Sequence, residues 1–194
     1  MEAMTAHHGT CGVEWGPLGW LAGEWEGAGG LDTAYSHAVH RVLETPFRER
    51  LTFKPFGPVQ NGRQVLYGLD YKTAMWRSDE ADPFHTELGY WLWDGATGEI
   101  VRCFVVPRGI AVVAGGTAAP GATAFTLSAD RGDDRYAIGE NSYLARHAST
   151  LAYTVTVTVH VDGTWSYDET TTLRMDEFAA PFAHTDHNTL HRAS

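Results

Sequence analysis

Residues 151–174 carry a period-two pattern that leaves the chain few choices of fold. Leu151, Tyr153, Val155, Val157 and Val159 share one side of an extended strand, and Thr154, Thr156, Thr158 and His160 share the other. After Val161-Asp162-Gly163 the alternation resumes, with Trp165, Tyr167, Glu169, Thr171 and Leu173 on one face. Ser166, Asp168, Thr170, Thr172 and Arg174 take the other. A two-residue Asp162-Gly163 turn would set Val159 against Ser166 and oppose apolar to polar along the whole pair. A three-residue loop with Gly163 in the left-handed conformation sets Val159 against Trp165, Val157 against Tyr167 and Leu151 against Leu173. A one-residue slip turns every side chain to the wrong face, so the second register is predicted. It places Glu169 and Thr171 on the inner, otherwise apolar face, where a carboxylate needs a partner or water. Either the interior is hydrated or ligand-filled, or Glu169 sits near an open end.

The rest of the chain repeats the theme. Candidate strands are 23–29, 39–53, 63–76, 84–93, 99–106, 109–115, 122–129, 151–160, 164–174 and 186–192, separated by turn signals. No long amphipathic helix interrupts them. Trp15 to Ala22 is apolar but broken by Gly16, Pro17 and Gly19, and reads as a short helical turn plugging one end of the core. Residues 138–148 are the one helical insertion expected. The prediction is an all-β, antiparallel up-and-down barrel of about ten strands, occupying 15–194 as a single domain behind a flexible 1–14 segment.

Composition narrows the function. The formal charge of −10 argues against nucleic acid and anionic lipid as partners. No apolar run is long enough for a transmembrane helix, and the first twenty residues lack the pattern of a signal peptide, so a cytoplasmic setting is expected. Cys11 and Cys103 are too far apart for a C-x-x-C site and are expected as reduced thiols. Cys103 lies in the apolar run Val101-Arg102-Cys103-Phe104-Val105-Val106 and reads as buried rather than reactive. No Gly-x-Ser-x-Gly elbow is present. Trp76, Tyr90, Trp91, Trp93 and Phe104 fit either a plain core or the wall of a pocket for a flat apolar ligand.

Three segments point further. Gly23-Glu24-Trp25-Glu26-Gly27-Ala28-Gly29 follows the apolar turn Leu18-Gly19-Trp20-Leu21-Ala22. Its glycines suit a sharp strand bend at a barrel corner, and its tryptophan suits a plug at the closed end. Phe84-His85-Thr86-Glu87-Leu88-Gly89-Tyr90 and Val106-Pro107-Arg108-Gly109-Ile110 follow. Together these resemble the nitrobindin family of haem-binding β-barrels, which are lipocalin-like and similar to fatty-acid-binding proteins. The resemblance spans most of 15–192, with an insertion around 130–150. It implies haem b in a cleft at one mouth, an axial histidine from the last strand, and an open opposite face with a histidine nearby, matched here by His85. It also implies that ferric haem reacts with nitric oxide and converts peroxynitrite to nitrate, a peroxynitrite isomerase activity.

The last strand departs from the family's Pro-His-Leu run. Matching Leu190 and Arg192 to the family's terminal residues puts Thr185 in the ligand slot, flanked by His184 and His187. Opposite strand parity lets only one of these face inward without a bulge. His184 is the expected iron ligand, His187 the alternative, and Thr33 a candidate contact near the haem propionates. A zinc site built from His184, Asp186 and His187, with His191 near, is disfavoured because strand residues three or four apart do not converge. Two functional readings stand: a haem barrel acting on reactive nitrogen species, and a haem-free barrel carrying a fatty acid or other apolar molecule. Self-association into a homodimer is left open.

Overall fold

The computed structural model describes residues 11–77 and 80–193. Eleven strands follow one another: β1 (Gly23–Ser36), β2 (Arg41–Asn61), β3 (Gln64–Arg77), β4 (His85–Asp94), β5 (Glu99–Val106), β6 (Ile110–Thr117), β7 (Ala124–Asp130), β8 (Ile138–Glu140), β9 (Ala148–Val159), β10 (Trp165–Met175) and β11 (Phe182–Arg192). Ten of them form an antiparallel ring in the order β5-β4-β3-β2-β1-β11-β10-β9-β7-β6, closed by pairing of β5 with β6. The short β8 is extra. It pairs with Ile110–Val112 of β6, beyond the point where β7 pairs at Gly115. Residues 138–148, expected as a helix, therefore divide into β8 and a six-residue helix α1 (Ser142–His147). The break falls at Asn141, whose side chain accepts from the Tyr143 and Leu144 amides and so starts the helix there.

The predicted hairpin forms with the predicted loop. Val159 faces Trp165 and Val157 faces Tyr167, and Gly163 takes a φ of 84°. The far end differs from expectation. A register shift between Thr172 and Leu173 pairs Leu173 with Thr150 instead of Leu151. The bulge turns Thr150 and Ala148 inward where strict alternation would have sent them out.

The Gly23–Gly29 run opens β1 as expected, and its glycines serve the packing of neighbours. Both registers of β1 shift here, against β2 and against β11. A Cβ at Gly27 would come within 2.6 Å of the Thr189 carbonyl, so β11 could not lie as close. Trp25 is 2% exposed, and its indole N–H donates to the Leu21 carbonyl at 2.7 Å. The Arg192 guanidinium covers its ring at 4.2 Å. A 3-10 turn (Val13–Trp20) closes this end, with Leu18 and Leu21 fully buried and Trp15 donating to the Gly68 carbonyl. Cys11, inside the segment expected to be flexible, is buried against the same core; residues 1–10 of that segment lie outside the described residues.

Candidate functional site

Inward-facing positions of nearly every strand enclose a cavity of about 330 Å³ that opens at the end away from the plug. Its floor is polar. β5 supplies Arg102, which strand parity turns inward together with Ile100 and Phe104. One guanidinium nitrogen meets Glu169 Oε2 at 2.8 Å and the Tyr153 hydroxyl. The other meets Glu87 Oε2 at 2.5 Å and the Tyr71 hydroxyl at 3.0 Å. Tyr71 donates to Glu87 at 2.6 Å and Tyr153 to Glu169 at 2.5 Å. The rings of Phe104, Tyr71, Trp91 and Tyr153 surround the guanidinium at 4.3 to 5.5 Å. The partner that Glu169 requires is thus a buried arginine.

A second carboxylate lies beside this cluster. Glu49 accepts from Thr73 at 2.6 Å, from Tyr167 at 3.0 Å and from Asn188 at 3.1 Å. Burial raises its pKa against the pull of those donors. Glu87 goes the other way: burial opposes its ionisation, yet Arg102, His85 and Tyr71 outweigh it and hold the carboxyl at about 2.

Nearer the opening, β11 turns Phe182, His184 and Asp186 toward the cavity. His184 Nε2 lies 2.6 Å from Asp32 Oδ1, across the β1–β11 seam. Asp32, His184 and Asp186 bring their ligand atoms within 4.8 Å of one another. One of its two carboxylates, Asp32, comes from the neighbouring strand β1; His187 and His191, considered for zinc from the sequence, are exposed on the other face. Burial, then the charges of Glu169 and Glu87, push Asp186 well above the usual carboxylate range.

The residues singled out in sequence separate by parity. His184 and His85 line the cavity. His187 and Thr33 do not, because β11 and β1 send their odd-numbered residues outward here, and Thr185 sits beside Thr33 and Thr170 in the same outer row. The Gly/Trp run belongs to the closed end, remote from the opening. Of the aromatic set, Trp91 and Phe104 line the cavity and Trp93 packs under the plug, whereas Tyr90 is half exposed and Trp76 stacks under Arg48 outside. Cys103, expected to be buried, faces the outer side and is partly exposed; desolvation still raises its thiol pKa. Sequence reading missed Arg102, Glu49, Asp32 and the role of Glu87. The available signal was a charged residue at an inward parity position within an otherwise apolar strand.

Comparison with known proteins agrees with this architecture. The solved structure of Rv2717c from M. tuberculosis superposes with a TM-score of 0.61 at 20% identity, covering 91% of this chain and 95% of that one. A peroxynitrite isomerase of Renibacterium salmoninarum is 34% identical over 87 residues, which is 43% of this chain and 35% of the relative. A second peroxynitrite isomerase, of Paenarthrobacter aurescens, is 35% identical over 79 residues, 39% of this chain and 33% of the relative. The matches span about a third of the length of these curated relatives. Among the described residues no helix is long and apolar enough to cross a membrane. The model of the THAP4-like, heme-binding beta-barrel domain matches residues 14–192, and the chain belongs to that family.

Proposed function

We propose that this barrel binds haem b at its open end, with His184 as axial ligand, and acts on peroxynitrite as its relatives' names describe. The observation that carries the reading is an inward imidazole on the last strand, at the mouth of a barrel matched to a heme-binding family over almost its whole length. The side chains present fit an iron porphyrin. Asp32 takes His184 Nε2, so Nδ1 is the nitrogen left for the iron, with the carboxylate on the other ring nitrogen as metal-ligating histidines commonly have it. Phe47, Met75, Phe84, Val106 and Ile110 give the cavity an apolar wall, and Arg77 and Arg108 line it as cations able to pair with propionates. Bound haem would supply the iron chemistry that rearranges peroxynitrite to nitrate; the protein would contribute the ligand, burial and restricted access.

A fatty-acid carrier fits less well. Arg102, the buried cation a fatty carboxylate would seek, already holds Glu87 and Glu169. The test is reconstitution of the full chain with haemin. The expected result is a Soret band shifted from that of haemin in buffer, lost in His184→Ala and kept in His187→Ala. Peroxynitrite decay should accelerate in the loaded protein, with nitrate as product. Absorbance no different from haemin in buffer would overturn the reading.

A further inference from the structure

The floor cluster does not balance its own charge. Glu87 and Glu169 are both ion-paired to a single guanidinium, that of Arg102, whose side chain is 5% exposed. A buried set of two carboxylates and one cation is unfavourable unless one carboxyl keeps its proton or a second cation joins it, and Glu87 is held ionised. His85 is placed to be that cation. Its Nε2 lies 3.2 Å from Glu87 Oε1, the oxygen that Arg102 does not take. It lines the cavity, partly exposed, and its Nδ1 has no protein partner among the described residues.

We infer that Glu87 is a positioning residue that holds His85 as an imidazolium, leaving Nδ1–H as a donor for an anionic oxygen ligand in the cavity. The cluster Arg102–Glu87–His85, with Glu169 behind it, thereby places one charged donor in the cavity, and at that donor an anionic oxygen is favoured over a neutral ligand of similar size. The inference rests on the proposed function only for the identity of that anion, a peroxynitrite-like oxyanion; the state of His85 stands on the cluster alone.

The groups around His85 agree. On its own strand Glu87 accepts a hydrogen bond from His85 Nε2–H; from β10 and β2, Glu169 and Glu49 add negative potential. Arg102 from β5 is spent on the two carboxylates, and Arg77 at the end of β3 stacks on the neighbouring Phe84 ring at 4.3 Å. Burial by itself would depress the imidazole, but the bond and charge of Glu87, with Glu169 and Glu49, outweigh it and raise His85 above its ordinary value.

The experiment uses the full chain with isotope-labelled histidine, without haem. At pH 7, wild-type His85 should show both ring nitrogens protonated by nitrogen NMR, and should titrate above the ordinary imidazole value of about 6.5. In Glu87→Gln its titration should fall below that value, because burial then acts with less opposition. A neutral His85 in the wild type, or a titration unmoved by Glu87→Gln, would overturn the inference; the wild-type measurement decides even if the variant does not fold. With haemin loaded, azide affinity should fall roughly ten- to hundredfold in both His85→Gln and Glu87→Gln, the worth of one charge-assisted hydrogen bond. Nitric oxide affinity should stay the same; an equal fall for azide and nitric oxide would refute selectivity for anions. Failure to take up haemin would remove the proposed function while leaving the NMR result to decide the state of His85.

Discussion

Replacing Arg102 with methionine keeps most of the side-chain volume and deletes the cation at the centre of the floor. The guanidinium holds Glu87 and Glu169 and, with His85 and Tyr71, overcomes the burial of Glu87 and depresses it from 4.5 to about 2. That depression corresponds to roughly 3 kcal/mol of folding free energy, of which the charge of Arg102 is the largest favourable part. Removing one partner of a buried ion pair costs about 3–5 kcal/mol, which agrees. For a chain of this length the melting temperature should fall by roughly 6–20 °C. Urea unfolding followed by tryptophan fluorescence, with thermal melts at several pH values, measures the loss. The sign with pH is fixed. A carboxylate with a depressed folded-state pKa stabilises fully above its unfolded value of 4.5, and loses that contribution as pH falls toward about 2. The gap between Arg102→Met and wild type should therefore narrow below pH 4.5. The triple variant Arg102→Met with Glu87→Gln and Glu169→Gln should recover most of the loss. If Arg102→Met unfolds within about 1 kcal/mol of wild type at pH 7, or keeps the same penalty at low pH, the charge argument for the floor is wrong.

Four other outcomes are expected. Gly89→Ala would drive a Cβ into the Cys103 carbonyl and the Phe104 backbone on β5, and should cost about 1–3 kcal/mol or more in urea unfolding. Trp25→Phe removes the indole bond to Leu21 while keeping an aromatic plug, and should cost about 1 kcal/mol; Trp25→Ala should cost about 3–5 kcal/mol. Asp186→Asn should raise the melting temperature at pH 8. A carboxyl whose folded-state pKa is raised destabilises the fold as pH rises through that pKa, so the gain should vanish at pH 3. Cys103 should react with iodoacetamide more slowly at pH 7 than a small-molecule thiol, because its thiolate fraction is reduced.

The barrel was largely legible in the amino-acid order because alternation is a strong constraint wherever one face is dry. Glu169, Tyr167 and Trp165 were assigned inward from register alone, and they are inward. The alternation failed at Leu151, where a bulge consumed one residue; nothing in the side-chain pattern near Thr172 marks it. The site was less legible because its parts meet across the ring. Arg102 reaches partners on β3, β4, β9 and β10, and Asp32 reaches His184 across 152 positions of sequence. Each group looks ordinary on its own strand, and only their convergence gives them meaning. Asp186 illustrates this: in sequence it figured only in a disfavoured zinc site, but on the cavity wall it becomes a carboxyl too buried, and too crowded by others, to ionise easily.

The β1–β11 seam also orders events in time. During synthesis β1 leaves the ribosome long before β11, and until Arg192 is made the Trp25 plug has no lid and Asp32 has no His184. A ring closed by its first and last strands has high contact order, so closure comes late and slowly. The mouth is complete only when β11 has joined β1, so whatever touches both Asp32 and His184 waits for that seam to form.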